Sequence, residues 1–134
     1  MRRKDVDDRV TVINRYALRD RAAFVAAVTA LAARVRVEGH TGVLSYRFYA
    51  PEGTGMQLAE GRGVVIYANP AAWVGHHDTA MGWPEMANLR AVAELVEIAI
   101  HGPLSDAMAN WLDRSGLAAR VVHHGLSVAG FERP

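Results

Sequence analysis

The chain contains no cysteine. That absence excludes a disulfide framework and a thiolate metal site, and it is compatible with a cytoplasmic setting. An excess of one charge is missing as well. Fifteen Lys and Arg stand against 14 Asp and Glu, for a formal net charge of +1 with histidine neutral and a pI of about 8.2. Such a balance gives no electrostatic footprint for nucleic acid. No apolar run approaches the roughly 18 residues of a membrane span. The opening MRRKDVDDR has no apolar stretch after its basic residues, so it does not read as a secretory leader. Internal repeats, low-complexity tracts and a dinucleotide-binding glycine fingerprint are also lacking. Neither nucleic acid nor membrane is therefore an expected partner.

What is present is ordinary globular material. The chain has 134 residues, 51% of them hydrophobic and 22% charged, enough for one domain with a real core. Residues 1–8 are dominated by charge and are expected to form a flexible arm. Residues 9–134 are expected to form one domain.

RVTVINRYAL (9–18) alternates with period two, which predicts a strand. Val10, Val12, Asn14, Tyr16 and Leu18 share one face, so Asn14 is a lone amide among apolar neighbours. Phe24, Val28, Leu31 and Val35 then recur at spacings of four, three and four, one helical stripe with Asp20 as N-cap and Gly39 as its end. VLSYRFYA (43–50) predicts a second strand with Leu44, Tyr46 and Phe48 on one face. The glycine-rich 51–63 reads as a loop or hairpin connection, and 63–69 as a third strand.

NPAAWVGHHDTAMG predicts a short helix with Asn69 as cap and Pro70 in its first turn. Gly82 breaks it, and Trp83-Pro84 opens another helical piece, PEMANLRAVAE. A strand over 96–102 follows, then a helix over 104–116 between Ser105 and Gly116, then a strand over 117–131. Strand–helix–strand–strand–helix–strand is the ferredoxin-like order, an α+β class. It leaves one sheet face bare, and a second copy of the chain is the economical cover.

VTVINRYALRDRAAFVAAV, VLSYRFYA and VVIYANPAAWVGHH together resemble the antibiotic biosynthesis monooxygenase family, over roughly residues 9–116. The resemblance implies a homodimer of ferredoxin-like subunits forming a dimeric α+β barrel. Each subunit then has a pocket between its sheet and its helices. Family members include cofactor-free oxygenases of aromatic polyketides, quinol oxygenases and haem-degrading oxygenases. Asn69, followed four residues later by Trp73, resembles the Asn/Trp pair lining the pocket of the anthrone oxygenases. Asn14 resembles the first-strand asparagine of the haem-degrading members. Those members also carry a histidine ten residues after the tryptophan, where this chain has Trp83.

Cofactor-free oxygenation needs an acidic aromatic held as its anion, a donor for the anion's oxygen, and a dry pocket. The expected catalytic residues are Asn14, Asn69, Trp73, His76 and His77. Tyr46, Tyr49, Tyr67, Trp83 and Met86 are the expected substrate contacts. Each has a structural alternative: Asn69 as a plain cap, the aromatics and Met86 as core. His76 and His77 are adjacent and point roughly 100° apart on a helix, a poor metal spacing; His123 and His124 on a strand face opposite ways. No metal and no cofactor are expected. The predicted activity is oxidation of a phenolic, anthrone or polyketide-like aromatic to a quinone with O2. The alternatives are a cyclase or isomerase on the same scaffold, and a non-catalytic small-molecule binding protein.

Overall fold

A computed structural model describes residues 8–52 and 59–134. The expected arm over 1–8 therefore lies outside the described residues, apart from Asp8. The elements are β1 (Val10–Leu18), α1 (Arg21–Glu38), β2 (Val43–Tyr49), β3 (Glu60–Tyr67), α2 (Pro70–Ala80), α3 (Pro84–Val92), β4 (Ala93–His101), α4 (Asp106–Ser115), a 3-10 turn (Ala118–Arg120) and β5 (Val121–His124). They build one sheet in the order β2-β3-β1-β4-β5. β1 is antiparallel to both β3 and β4, β2 is antiparallel to β3, and β5 runs parallel to β4. This is the ferredoxin-like arrangement with one added edge strand.

The period-two alternation of β1 does what it predicts. Val10, Val12 and Tyr16 are buried under the helices, while Thr11, Ile13 and Arg15 lie half-buried on the other face. α1 turns Phe24, Val28, Leu31 and Val35 inward. Its N-cap is Asp20, whose carboxylate accepts from the Ala23 amide at 2.9 Å, and Gly39 ends it. The helices pack into two clusters on one sheet face. α1 and α3 cover Tyr16, Phe48 and Ala93; α2 and α4 cover Val10, Val12, Val65 and Ile100. Val43, Tyr46 and Leu95 touch both clusters, so they mark the seam.

Four sequence expectations change. β3 starts at Glu60, inside the stretch read as a loop. Gly61 and Gly63 are buried strand positions where the rings of Phe24 and Phe48 press on the backbone; a Cβ would sit 2.8 Å and 3.0 Å from them. Glycine here makes room for aromatics rather than a turn. In β2, a register shift between Val43 and Ser45 sets Leu44 aside, 51% exposed, so Val43 rather than Leu44 joins Tyr46 and Phe48 inside. β4 begins at Ala93, three residues early, because pairing with Leu18 captures residues that would otherwise prolong α3. The final strand spans four residues rather than 117–131. Its partner β4 ends at His101 and the chain turns at Gly102 (φ 107), leaving nothing for a longer strand to pair with.

Candidate active site

Where the two clusters meet, the sheet and helices leave a cavity of about 290 Å³. Its floor is the buried face of the central strands, including Val12, Asn14, Val65 and Tyr67; Trp73, His76 and His77 from α2 and Trp111 from α4 form walls. α2 delivers three groups at once because Trp73, His76, His77 and Ala80 sit at helical positions i, i+3, i+4 and i+7. Gly75 lets the helix approach the chain before β2, since a Cβ there would lie 2.4 Å from the His40 ring.

His77 is the best-defined group. Its Nδ1 lies 2.7 Å from the Trp73 carbonyl oxygen. A carbonyl only accepts, so Nδ1 carries the proton and Nε2 holds the lone pair. The ring stacks on Trp73 with centroids 3.9 Å apart and meets the edge of Trp111 at 4.9 Å. Burial, then the neighbouring His76, push its pKa down to about 3. His77 is therefore a neutral imidazole with a free lone pair on Nε2, lining an apolar chamber.

His76 is 2% exposed, and its Nδ1 has no hydrogen-bond partner among the described residues. Tyr46 and Tyr67 flank it at 5.4 Å and 5.8 Å. Burial, then His40, lower its pKa to about 4. Burial raises the phenols of Tyr46 and Tyr67 well above their ordinary range, with neighbouring tyrosines adding to the effect. Burial raises Tyr16 as well, and the Asn14 amide beside it counters part of that rise. Burial thus keeps these tyrosines in the protonated form at neutral pH, as hydroxyl donors. The chamber thus opposes neutral imidazole bases to protonated phenols, with one amide on the floor.

The structure brings together Asn14, Tyr46, Tyr67, Trp73, His76, His77 and Met86. Three expected residues lie elsewhere. Asn69 is exposed, and its side-chain oxygen accepts from the Ala72 amide at 2.8 Å; the helix end uses it as a cap, and it does not line the cavity. Tyr49 is 55% exposed, because strand alternation sends it to the face opposite Tyr46 and Phe48. Trp83 lies outside the cavity under the Arg34 guanidinium, 4.2 Å from the ring centroid. Three lining aromatics were not among the expected site residues: Tyr16, Phe48 and Trp111, of which Phe48 shares the strand face of Tyr46. Tyr16 shares the Asn14 face, which was a usable signal; Trp111 sits beside the buried Met108 and Leu112 on α4, a pattern that reads only as core. Among the described residues no group of three or more His, Asp or Glu is placed to hold a metal ion.

No family model matches the chain, and no curated protein matches its sequence. Solved structures do resemble it. MupZ from Pseudomonas fluorescens aligns with a TM-score of 0.64 and 18% identity over 94% of this chain and 95% of its own. SnoaB, a cofactor-independent oxygenase from Streptomyces nogalater, aligns with a TM-score of 0.55 and 16% identity over 73% and 95%. A candidate antibiotic biosynthesis monooxygenase from Caulobacter crescentus aligns with a TM-score of 0.59 and 17% identity over 73% and 92%. At these identities the likeness is one of fold. The chain has the ferredoxin-like scaffold found among antibiotic biosynthesis monooxygenases. Among the described residues no helix is long and apolar enough to cross a membrane.

Proposed function

We propose that the chain is a cofactor-independent monooxygenase that oxidises a flat phenolic, anthrone or polyketide-like aromatic to a quinone with O2. The observation that carries this reading is the proton arrangement of His77, a neutral base fixed against Trp73 inside an apolar chamber. The named oxygenase SnoaB on the same scaffold supports it. Nε2 would take the proton from the substrate's acidic C–H or phenol, the anion formed beside it stabilising the imidazolium against the burial that disfavours it, and a tyrosine hydroxyl or the Asn14 amide would hold the resulting oxyanion. The anion passes one electron to O2, and recombination forms a C–O bond as a hydroperoxide. Loss of water breaks the O–O bond and leaves a carbonyl, so that CH2 and O2 become C=O and H2O. The apolar walls protect the radical and peroxide stages from solvent.

Oxygen-electrode assays with an anthrone and a quinol test the reading. The expected result is one O2 consumed per quinone formed without added cofactor, and a loss of about 100-fold in kcat in His77→Gln. Product formation under strict anaerobiosis would overturn it. That outcome favours the second reading, a cyclase or isomerase, for which a neutral imidazole facing protonated tyrosines is sufficient acid–base machinery.

The same proposal includes a homodimer. All four helices pack on one sheet face, and the other carries Ile13, Val64, Ile66 and Ala99, half-buried in one copy. A second sheet laid over this face completes a barrel. A stable monomer in sedimentation at micromolar concentration is the result that would exclude it.

A further inference from the structure

The cavity's mouth differs in chemistry from its interior. Arg19, Arg90, Glu94 and Arg120 all line the cavity and all are exposed, which places three guanidiniums against one carboxylate at the rim. None of the three arginines, and not Glu94, forms an ion pair within 4.0 Å among the described residues. Elsewhere several arginines are matched: Arg15 to Glu97, Arg34 to Glu85 and Arg62 to Glu60. Among the described residues the rim is therefore a local excess of positive charge without ion-pair partners, on a chain whose net charge is only +1.

Two of the rim arginines are also held in place. Arg120 donates from a terminal nitrogen to the Leu95 carbonyl at 2.7 Å. Arg19 reaches the Arg90 and Ala91 carbonyls at the end of α3, each at 3.4 Å. A guanidinium has five N–H donors, so these contacts fix the head and leave donors for a ligand. The three come from different parts of the chain, the end of β1, α3 and the 3-10 turn, and converge only in the fold.

We infer that the substrate is bipolar: an uncharged ring enters the chamber, and an oxyanion group at its far end stays at the mouth on Arg19, Arg90 and Arg120. The inference rests on the cavity being the substrate site and refines the substrate class proposed above. Guanidiniums bind carboxylate and phosphate oxygens by paired N–H donors. A positive rim also steers anions to the opening. Burying such a group in the chamber would strand its charge among apolar walls, so the arrangement sets the ring's direction of entry as well.

Quenching of tryptophan fluorescence tests this, because Trp73 and Trp111 line the cavity. The probes are 2-naphthoate, 2-naphthyl phosphate and the uncharged 2-naphthamide, titrated into wild-type protein and into Arg90→Gln and Arg90→Gln/Arg120→Gln. At low salt each anion should bind about five- to tenfold tighter than the amide. That preference should shrink in 0.5 M NaCl and shrink stepwise in the single and double variants, where Arg19 alone remains at the mouth, while amide binding stays unchanged and certifies the fold. Equal binding of anions and amide to wild type, or a preference undiminished by the double substitution, overturns the inference and leaves the aromatic cavity standing. Failure of all three probes to bind removes the cavity reading itself and this inference with it.

Discussion

The dipeptide His-His occurs twice in this chain, at 76–77 and at 123–124, and the two copies have opposite surroundings. On α2 the rings lie 5.1 Å apart, edge to face, against the same cavity, walled by Trp73, Tyr46 and Tyr67. On β5 both residues are exposed. There the pleat sends His123 to the Gly102 carbonyl at 2.8 Å and His124 to the opposite face, stacked on His101 at 5.0 Å. One pair lines the cavity, His76 buried and His77 half-buried, and burial lowers the pKa of both. The other fastens the edge of a sheet. Identical residues differ here only through what the fold packs against them.

The largest expected effect separates the pairs by turnover. His77→Gln should lower kcat by about 100-fold, whereas His123→Gln should leave it unchanged in the same oxygen-uptake assay. Equal losses in both would remove the contrast.

The next effect is on stability against pH. His76 has a folded-state pKa of about 4, below the ordinary 6.5. The unfolded chain therefore binds a proton first as pH falls. Stability from this group is complete above pH 6.5 and is lost progressively toward pH 4. The loss at pH 4 is roughly 2–3 kcal/mol. Melting curves should show it, and His76→Leu should flatten the slope. A wild-type melting temperature constant from pH 7 to 4.5 would argue that His76 is not buried neutral.

A smaller effect concerns Asn69. As a cap, Asn69→Ala should cost about 1 kcal/mol, and Asn69→Asp should keep both stability and turnover. If Asn69→Asp abolished turnover while melting normally, Asn69 would belong to the chemistry after all. Smallest of all, Tyr49→Phe should change turnover not at all and stability by less than about 0.5 kcal/mol.

Much of the fold was legible because it depends on local periodicity. The β1 alternation, the Phe24–Val28–Leu31–Val35 stripe, the caps at Asp20, Asn69 and Ser105 and the stop at Gly116 all stand in the structure. Errors fell where a distant partner decides. The glycines of β3 serve aromatic rings from α1 and β2; the start of β4 is set by Leu18; the length of β5 is set by the end of β4. Within the site, the spacing of Trp73, His76 and His77 announced one helical face, but nothing in it announced Trp111 opposite or three arginines at the mouth.

By itself the sequence determined which side chains share a face and where most helices begin and end, because those follow from backbone geometry over a few residues. It left Asn69 equally able to cap a helix and to face a ligand, since both uses employ the same carbonyl oxygen or its amide partner. The tertiary structure settled that by turning Asn69 to solvent and Asn14 to the cavity. It also decided which ring has a defined proton, because the Trp73 carbonyl holds one on His77 Nδ1 while His76 Nδ1 is without a partner among the described residues. Burial is a property of what packs over a residue, and what packs here comes from β1 to β4 and from α2, α3 and α4.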